Sequence, residues 1–536
     1  MKVSKSTLKK VLAMGLCASA ITGILAGCGA EGGNEPATSG NTDASSASTT
    51  TVKTMTFGDS QAPTSLDVAD GWSSWYTSRY GITETLFTLD ENLSAQPFLC
   101  EKAEAKDDHT WVLTLRDGVT FQNGEKMTAQ SVIDCWTRTM KINARLNELL
   151  YIDKMEADGQ TLTVTTAKPV PAFTSSLCEP VAGIYYVTEN MDPATNVTDL
   201  IGTGPYKAVS YDVKKKCVVE RYDDYWQGTP ALEGATFNII ADTSALAMAQ
   251  QNGESDVSLT IPSTGLSTFE NDSNFVVDGQ TGSRGQVIWF NFENEQLQDK
   301  AVRQAISMAI DKETYASILN KGASTPATAL FPDSTPYGGS TVTGYSYDLE
   351  GAKKILEDAG YTDSDGNGYL DKDGKDLSFT ISTYTTKAEL PLFAQAMADS
   401  LKSIGIELKI EAGAYDAVVE KQGNGKFDLM MISMTMCPTG DPQYFSDLAL
   451  KSNGSANYGG YSNQEVDKLI DQLDQEFDSD KRNELAVEIQ QKVMDDAGYI
   501  VIGHAKFTNV LKKNVQNCPT NPSEYYELNY QTTMTE

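Results

Sequence analysis

Histidine is nearly missing from this chain, with two residues in 536, His109 and His504. A Ser-His-Asp triad would have to recruit one of them, and neither has a supporting motif. There is no HExxH, no GxSxG, no Walker loop and no GxGxxG ahead of a helix. His109 lies in a polar turn before Trp111-Val112-Leu113, which is a surface setting. Among 73 acidic residues nothing singles out a catalytic pair. These absences argue against an enzyme and imply no cofactor.

Basic residues are also scarce, 42 against 73 acids, for a formal charge of −31. Such an excess excludes nucleic acid as a partner and favours solubility. The eight cysteines contain no CxxC pair. With Cys17 and Cys28 set aside, Cys100, Cys135, Cys178, Cys217, Cys437 and Cys518 are widely scattered. Disulfides and free buried thiols both fit that pattern, and a body of this size needs no staples. After residue 27 no apolar run is long enough to cross a bilayer.

What is present begins at the N-terminus. Lys2, Lys5, Lys9 and Lys10 precede an apolar stretch from Val11 to Ala26, the build of a secretory signal. Leu25-Ala26-Gly27-Cys28 resembles a bacterial lipobox, in which Cys28 becomes the lipid-bearing first residue. Gly29 to Thr51 contains no aromatic and no large aliphatic residue, so it reads as an unfolded tether. A coil of that length reaches roughly 25–30 Å.

The body alternates strand and helix signals, which predicts an α/β fold of two or three domains. Phe379 to Tyr384 alternates in polarity as a strand. Leu390, Phe393, Met397, Leu401 and Ile404 then share one helical face, closed by Gly405. Ile406 to Ile410 alternates again, so the pair should be parallel. Asp299 can cap a helix burying Val302, Ala305, Ile306 and Ala309. Val466, Leu469, Ile470 and Leu473, then Leu485, Ile489 and Val493, form further core stripes.

Two local clusters stand out. Trp72, Trp75, Tyr76, Arg79 and Tyr80 fit one helical face, as core or as ligand contacts. Asp363, Asp365, Asn367, Tyr369 and Asp371 alternate like a calcium loop, but Gly374 stands where a bidentate Glu is needed. An Asp/Gly-rich turn is the simpler reading.

An ordered set of motifs runs from about Thr54 to His504. It comprises Phe121-Gln-Asn-Gly-Glu-Lys-Met-Thr-Ala129, Gly202-Thr-Gly-Pro-Tyr206, Arg221-Tyr-Asp-Asp-Tyr-Trp226, Ala301-Val-Arg-Gln-Ala305, Ala359-Gly-Tyr361 and Asp441-Pro442. The set resembles the solute-binding lipoproteins of dipeptide, oligopeptide and nickel ABC transporters.

The resemblance implies a two-lobe flytrap of the large, peptide-binding type. Lobe I would span 53–284 plus 507–536, with an inserted subdomain at about 98–198, and lobe II would span 285–506. The chain would cross near Ser283–Gln286 and Val501–Lys506. It implies a monomer tethered outside the membrane, delivering short peptides to a permease and its ATPase. A nickel-chelate carrier or a peptide-signal receptor on the same fold are the alternatives. Candidate ligand contacts are Trp75, Tyr76, Arg79, Tyr80, Arg145, Trp289, Asn291, Met434, Thr435, Met436 and Asp441. Peptide-binding relatives carry an amine-anchoring acid at the position held here by Pro438, so that anchor does not carry over.

Overall fold

A computed structural model describes residues 53–188, 191 and 200–535. The signal-like segment, Cys28 and the tether lie outside these residues.

Two unusually long strands organise the body, Phe275–Phe290 and Tyr499–Lys512. They pair antiparallel at the centre of an eleven-stranded sheet. On one side Val257–Ser258, Thr54–Asp59, Gly234–Ile239, Lys216–Arg221 and Tyr206–Asp212 follow in order. On the other come Leu429–Thr435, Ser378–Tyr384 and Glu407–Gly413. The register breaks between Thr281 and Gly285. Beyond that break, Arg284 to Phe290 pairs with Leu429–Thr435. One half of the sheet is thus built from the two ends of the body and the other from its middle. This is a two-lobe α/β fold with the central strand pair passing through both halves.

The expected strand–helix–strand unit is present. Ser378–Tyr384 and Glu407–Gly413 pair in parallel around the helix Glu389–Ser403. Leu390, Phe393, Met397 and Leu401 are all fully buried along one face. Gly405 turns the chain out of the helix at φ +80°, where a side chain would strain the backbone. The second strand starts one residue late and runs on to Gly413, because its exposed end lacks the apolar alternation that marks a buried strand. Asp299 caps Lys300–Met308 through the Ala301 amide, and Val302, Ala305 and Ile306 face inward.

A separate four-stranded antiparallel sheet contains Cys100–Asp107, Thr110–Leu115, Thr161–Thr166 and Ile152–Asp158. The motifs around it interlock. Gln122 Nε2 donates to the carbonyls of Ile82, Gly204 and Tyr206 at 3.0, 3.1 and 2.7 Å. Gly202 approaches so closely that a Cβ there would lie 1.9 Å from the Ile82 oxygen. Tyr225 and Trp226 donate to the buried Glu84 carboxylate at 2.5 and 3.3 Å. Three motif segments therefore close one corner of the fold.

The six described cysteines are buried and unpaired. In the Asp/Gly-rich loop the carboxylates turn inward to backbone amides. Asp363 accepts from Gly366 and Gly368, Asp365 from Asn367, and Asp371 from Ser364. Asn367 accepts from Tyr369 N. Among the described residues no group of three or more His, Cys, Asp or Glu is arranged to hold a metal ion. The loop is thus built as an Asp/Gly-rich turn whose carboxylates satisfy its own backbone amides.

Candidate functional site

A cavity of about 690 Å³ lies between the two halves, within the usual size range of small-ligand sites. Its floor on one side is the short helix Ser73–Arg79, which presents Trp75, Tyr76 and Arg79. Across from it stand Trp289, Tyr384, Tyr415, Met434, Thr435, Tyr444 and Tyr458. The wall is aromatic, with a small number of charges set into it.

Each arginine on this wall has a carboxylate inside the protein. Arg79 Nη1 meets Asp59 Oδ2 at 2.9 Å, and both side chains are buried. Burial opposes the guanidinium charge most strongly, but Asp59, Tyr76, Glu524 and Glu527 together outweigh it and hold the Arg79 pKa above its ordinary value. Tyr76 lies beneath the same guanidinium, with Cζ 5.0 Å from the ring centre, and burial pushes its phenol to about 12. Arg145 Nε donates to Glu179 Oε1 at 3.1 Å, and Trp75 Nε1 donates to the same oxygen at 2.8 Å. Glu179 is fully buried behind the wall. Arg284 Nε reaches Glu524 Oε1 at 3.3 Å.

Lys387 differs. It lines the cavity, is half-buried, and its ammonium makes no ion pair or hydrogen bond to any described residue. Burial first, and then the positive Arg284, depress its pKa. The cleft thus holds a cation that no carboxylate contacts directly, with Glu524 and Glu389 acting on it only from a distance.

Seven of the eleven expected contacts line the cavity: Trp75, Tyr76, Arg79, Arg145, Trp289, Met434 and Thr435. The other four do not line it. Tyr80 falls one residue past the helix, is fully buried, and packs on Phe237 with ring centres 4.1 Å apart. Asn291 is buried and ties the carbonyls of Gly425 and Phe427 at 3.0 and 2.7 Å. Met436 is fully buried; its sulfur fills the space beside Gly285. Asp441 is held by Arg482 at 2.6 Å, away from the cavity. Each serves the fold.

Arg284, Lys387, Tyr384, Tyr415, Tyr444, Tyr458 and Glu524 line the cavity without having been expected there. Trp72, the first of the aromatic cluster, also lines the cavity and stacks under Arg145, with Cζ 4.4 Å from the ring centre. His504 lies elsewhere, buried on the central strand, its pKa lowered to about 3 by burial and by Lys312. No histidine or cysteine is among the described residues that line the cleft.

The sequence signature described as "Bacterial extracellular solute-binding proteins, family 5 Middle" matches residues 94–457, more than half of the chain. The nickel-binding protein NikA of Staphylococcus aureus is 28% identical over 456 residues, spanning 85% of this chain and 90% of that protein. The oligopeptide-binding protein AppA of Bacillus subtilis is 26% identical over 456 residues, spanning 82% and 83%. Among solved structures, a nickel ABC transporter protein from Bacillus halodurans superposes with a TM-score of 0.77 at 31% identity, covering 90% of this chain and all of that one. The fold, the cleft and these likenesses agree, and the chain belongs to the bacterial extracellular solute-binding proteins of family 5.

Proposed function

We propose that this chain is the lipid-anchored extracellular binding component of an ABC importer, and that it captures short peptides by their carboxylate in the cleft described above. A family of solute-binding proteins is a family of carriers, not of enzymes, and selectivity then rests on the cleft. The observation that carries this reading is Lys387. An ammonium half-removed from water with no carboxylate in direct contact is costly, because burial outweighs the more distant Glu524 and Glu389, and a ligand carboxylate supplies the missing contact. The aromatic wall of Trp75, Trp289, Tyr415 and Tyr458 offers stacking surface for side chains of varied shape.

In this reading lobe I comprises residues 53–284 and 507–536, and lobe II residues 285–506. The ligand closes the lobes because the closed form makes contacts that the open form lacks. Cys28 carries the lipid and residues 29–52 form the leash, which keeps the carrier near its permease. The molecule acts as a monomer.

A second reading has its own support, the likeness to nickel-binding relatives. With no histidine or cysteine lining the cleft, the metal's donors would come from a small carboxylate-bearing chelator. The same cation would then hold that chelator's carboxylate.

Calorimetric titration of wild type and Lys387→Met with a free-acid tripeptide mixture, its C-amidated counterpart and nickel–histidine tests both readings. Wild type is expected to prefer the free acids, and Lys387→Met to lose roughly 10- to 100-fold in affinity for them. Equal binding of acids and amides contradicts the carboxylate reading. Binding of nickel–histidine alone replaces the peptide with the chelate.

A further inference from the structure

Glu524 stands in a backbone conformation that L-residues rarely adopt, with φ +68°. Eight other described non-glycine residues share positive φ, and none of them lines the cleft. Strain of this kind persists only where surrounding contacts enforce it. Here Arg79 enforces it, donating from Nη2 and Nε to the Glu524 carbonyl at 3.1 and 3.3 Å. The next residue, Tyr525, is fully buried, and its hydroxyl donates to the Pro438 carbonyl at 3.1 Å. The Glu524 segment is thereby fastened both to the floor of the cleft and to the residue that replaces the relatives' amine-anchoring acid.

The Glu524 carboxylate is under-used by the protein. Its side chain is 17% exposed, and one oxygen meets a single guanidinium nitrogen of Arg284 at 3.3 Å. The other oxygen has no described protein partner. A desolvated carboxylate ordinarily collects two or more short, charge-assisted donors. This one has a single long contact and lines the cavity.

We propose that Glu524 anchors the ligand's primary ammonium, taking the place of the acid lost at Pro438. The inference rests on the cleft being the solute site and narrows the ligand class. Lys387, Arg284 and Arg79 lie near enough to Glu524 to interact with it electrostatically; Asp59 neutralises Arg79, and the other two would repel an isolated ammonium. A ligand carboxylate placed on Lys387 removes that repulsion. The ligand therefore carries both charges close together, as amino acids and the shortest peptides do. A long linear peptide holds its two ends too far apart to satisfy one such cluster.

The test compares the full chain with Glu524→Gln and Glu524→Asp. Each is titrated with a mixture of free dipeptides and with the same mixture N-acetylated. Wild type is expected to prefer the free amines by at least about tenfold, Glu524→Gln to abolish that preference, and Glu524→Asp to keep part of it. A merely structural role would weaken both mixtures alike and leave their ratio unchanged, which overturns the anchor. Equal binding of both mixtures by wild type also overturns the anchor while sparing the cleft as solute site. Binding of neither overturns the peptide reading and the anchor together.

Discussion

Arg145 spans the cleft to Tyr444, its Nη1 donating to the tyrosine hydroxyl at 2.9 Å while Glu179 holds the guanidinium from behind. The contact joins the inserted α-helix Arg145–Leu150 to the middle half of the chain, so it exists only while the two halves are together. Trp72 and Tyr444 flank the guanidinium, with Cζ 4.4 and 5.3 Å from their ring centres. Replacing Arg145 by Ala removes the bridge and strips Glu179 of its counter-charge. Truncating such a pair costs about 2–5 kcal/mol. Small-angle scattering should find Arg145→Ala more open in the presence of ligand, with affinity reduced at least about 30-fold. A variant that closes and binds like wild type removes Arg145 from the closing contact.

Gly440 packs tightly against the other half across the same seam. It sits at φ +72°, and a Cβ there would lie 1.9 Å from the Leu93 carbonyl oxygen. Gly440→Ala should therefore block full closure, besides costing about 1–2 kcal/mol for the left-handed backbone. The expected result is a folded protein with a modestly lower Tm and weak ligand binding. Unchanged affinity would mean that the two halves can close without this contact.

Stability should fall as pH rises from 6.5 to 8. Burial pushes Glu527 from the usual 4.5 up to about 8, with Arg79 opposing the shift, and pushes Glu84 up to about 7. Between the unfolded and folded values the native state holds a proton that the unfolded chain has lost, so this contribution is full below 4.5 and vanishes through 8. His504 works in the opposite direction. Its folded value of about 3 lies below the unfolded 6.5, so its contribution is present above 6.5 and is lost as pH falls. Above 6.5 the acids dominate; Lys312, lowered to about 8 by burial, opposes them only near the top of the window, so up to about 2 kcal/mol should disappear across it. Chemical denaturation at pH 6.5 and 8 reads this directly. Glu527→Gln should flatten the slope; an undiminished slope would remove Glu527 as its source.

Much of the scaffold was legible because local rules govern it. The stripe Leu390, Phe393, Met397 and Leu401 fixes a helix face by spacing alone, and Gly405 supplies its end. Gly202 could be read as a close approach, although its partner Ile82 could not. The site was legible at Arg145, Trp289, Met434 and Thr435, and most readily along one helix, at Trp75, Tyr76 and Arg79. Even there, the single step from Arg79 to Tyr80 leaves the helix and enters the core. Arg284, Lys387 and Glu524 were out of reach for another reason. They come from segments far apart in the chain, and only the strand order brings them to one cavity. Asn291 and Asp441 lay in motifs that turned out to serve loop closure and an internal ion pair.

Calcium should leave the protein unchanged. The Asp363 to Asp371 loop spends its carboxylates on its own amides, and a cation would have to break those bonds to gain ligands. Thermal unfolding with and without millimolar calcium is expected to give the same Tm. A rise would show that the loop opens to bind the ion.

The central claim is that the cleft holds a small, carboxylate-bearing solute without altering it. Native mass spectrometry of the protein purified from its own host, without refolding, tests this most directly. The account predicts a one-to-one complex whose ligand is released intact on denaturation and carries both a free carboxylate and a primary amine. A ligand lacking a carboxylate, or one recovered only as cleaved product, would contradict it.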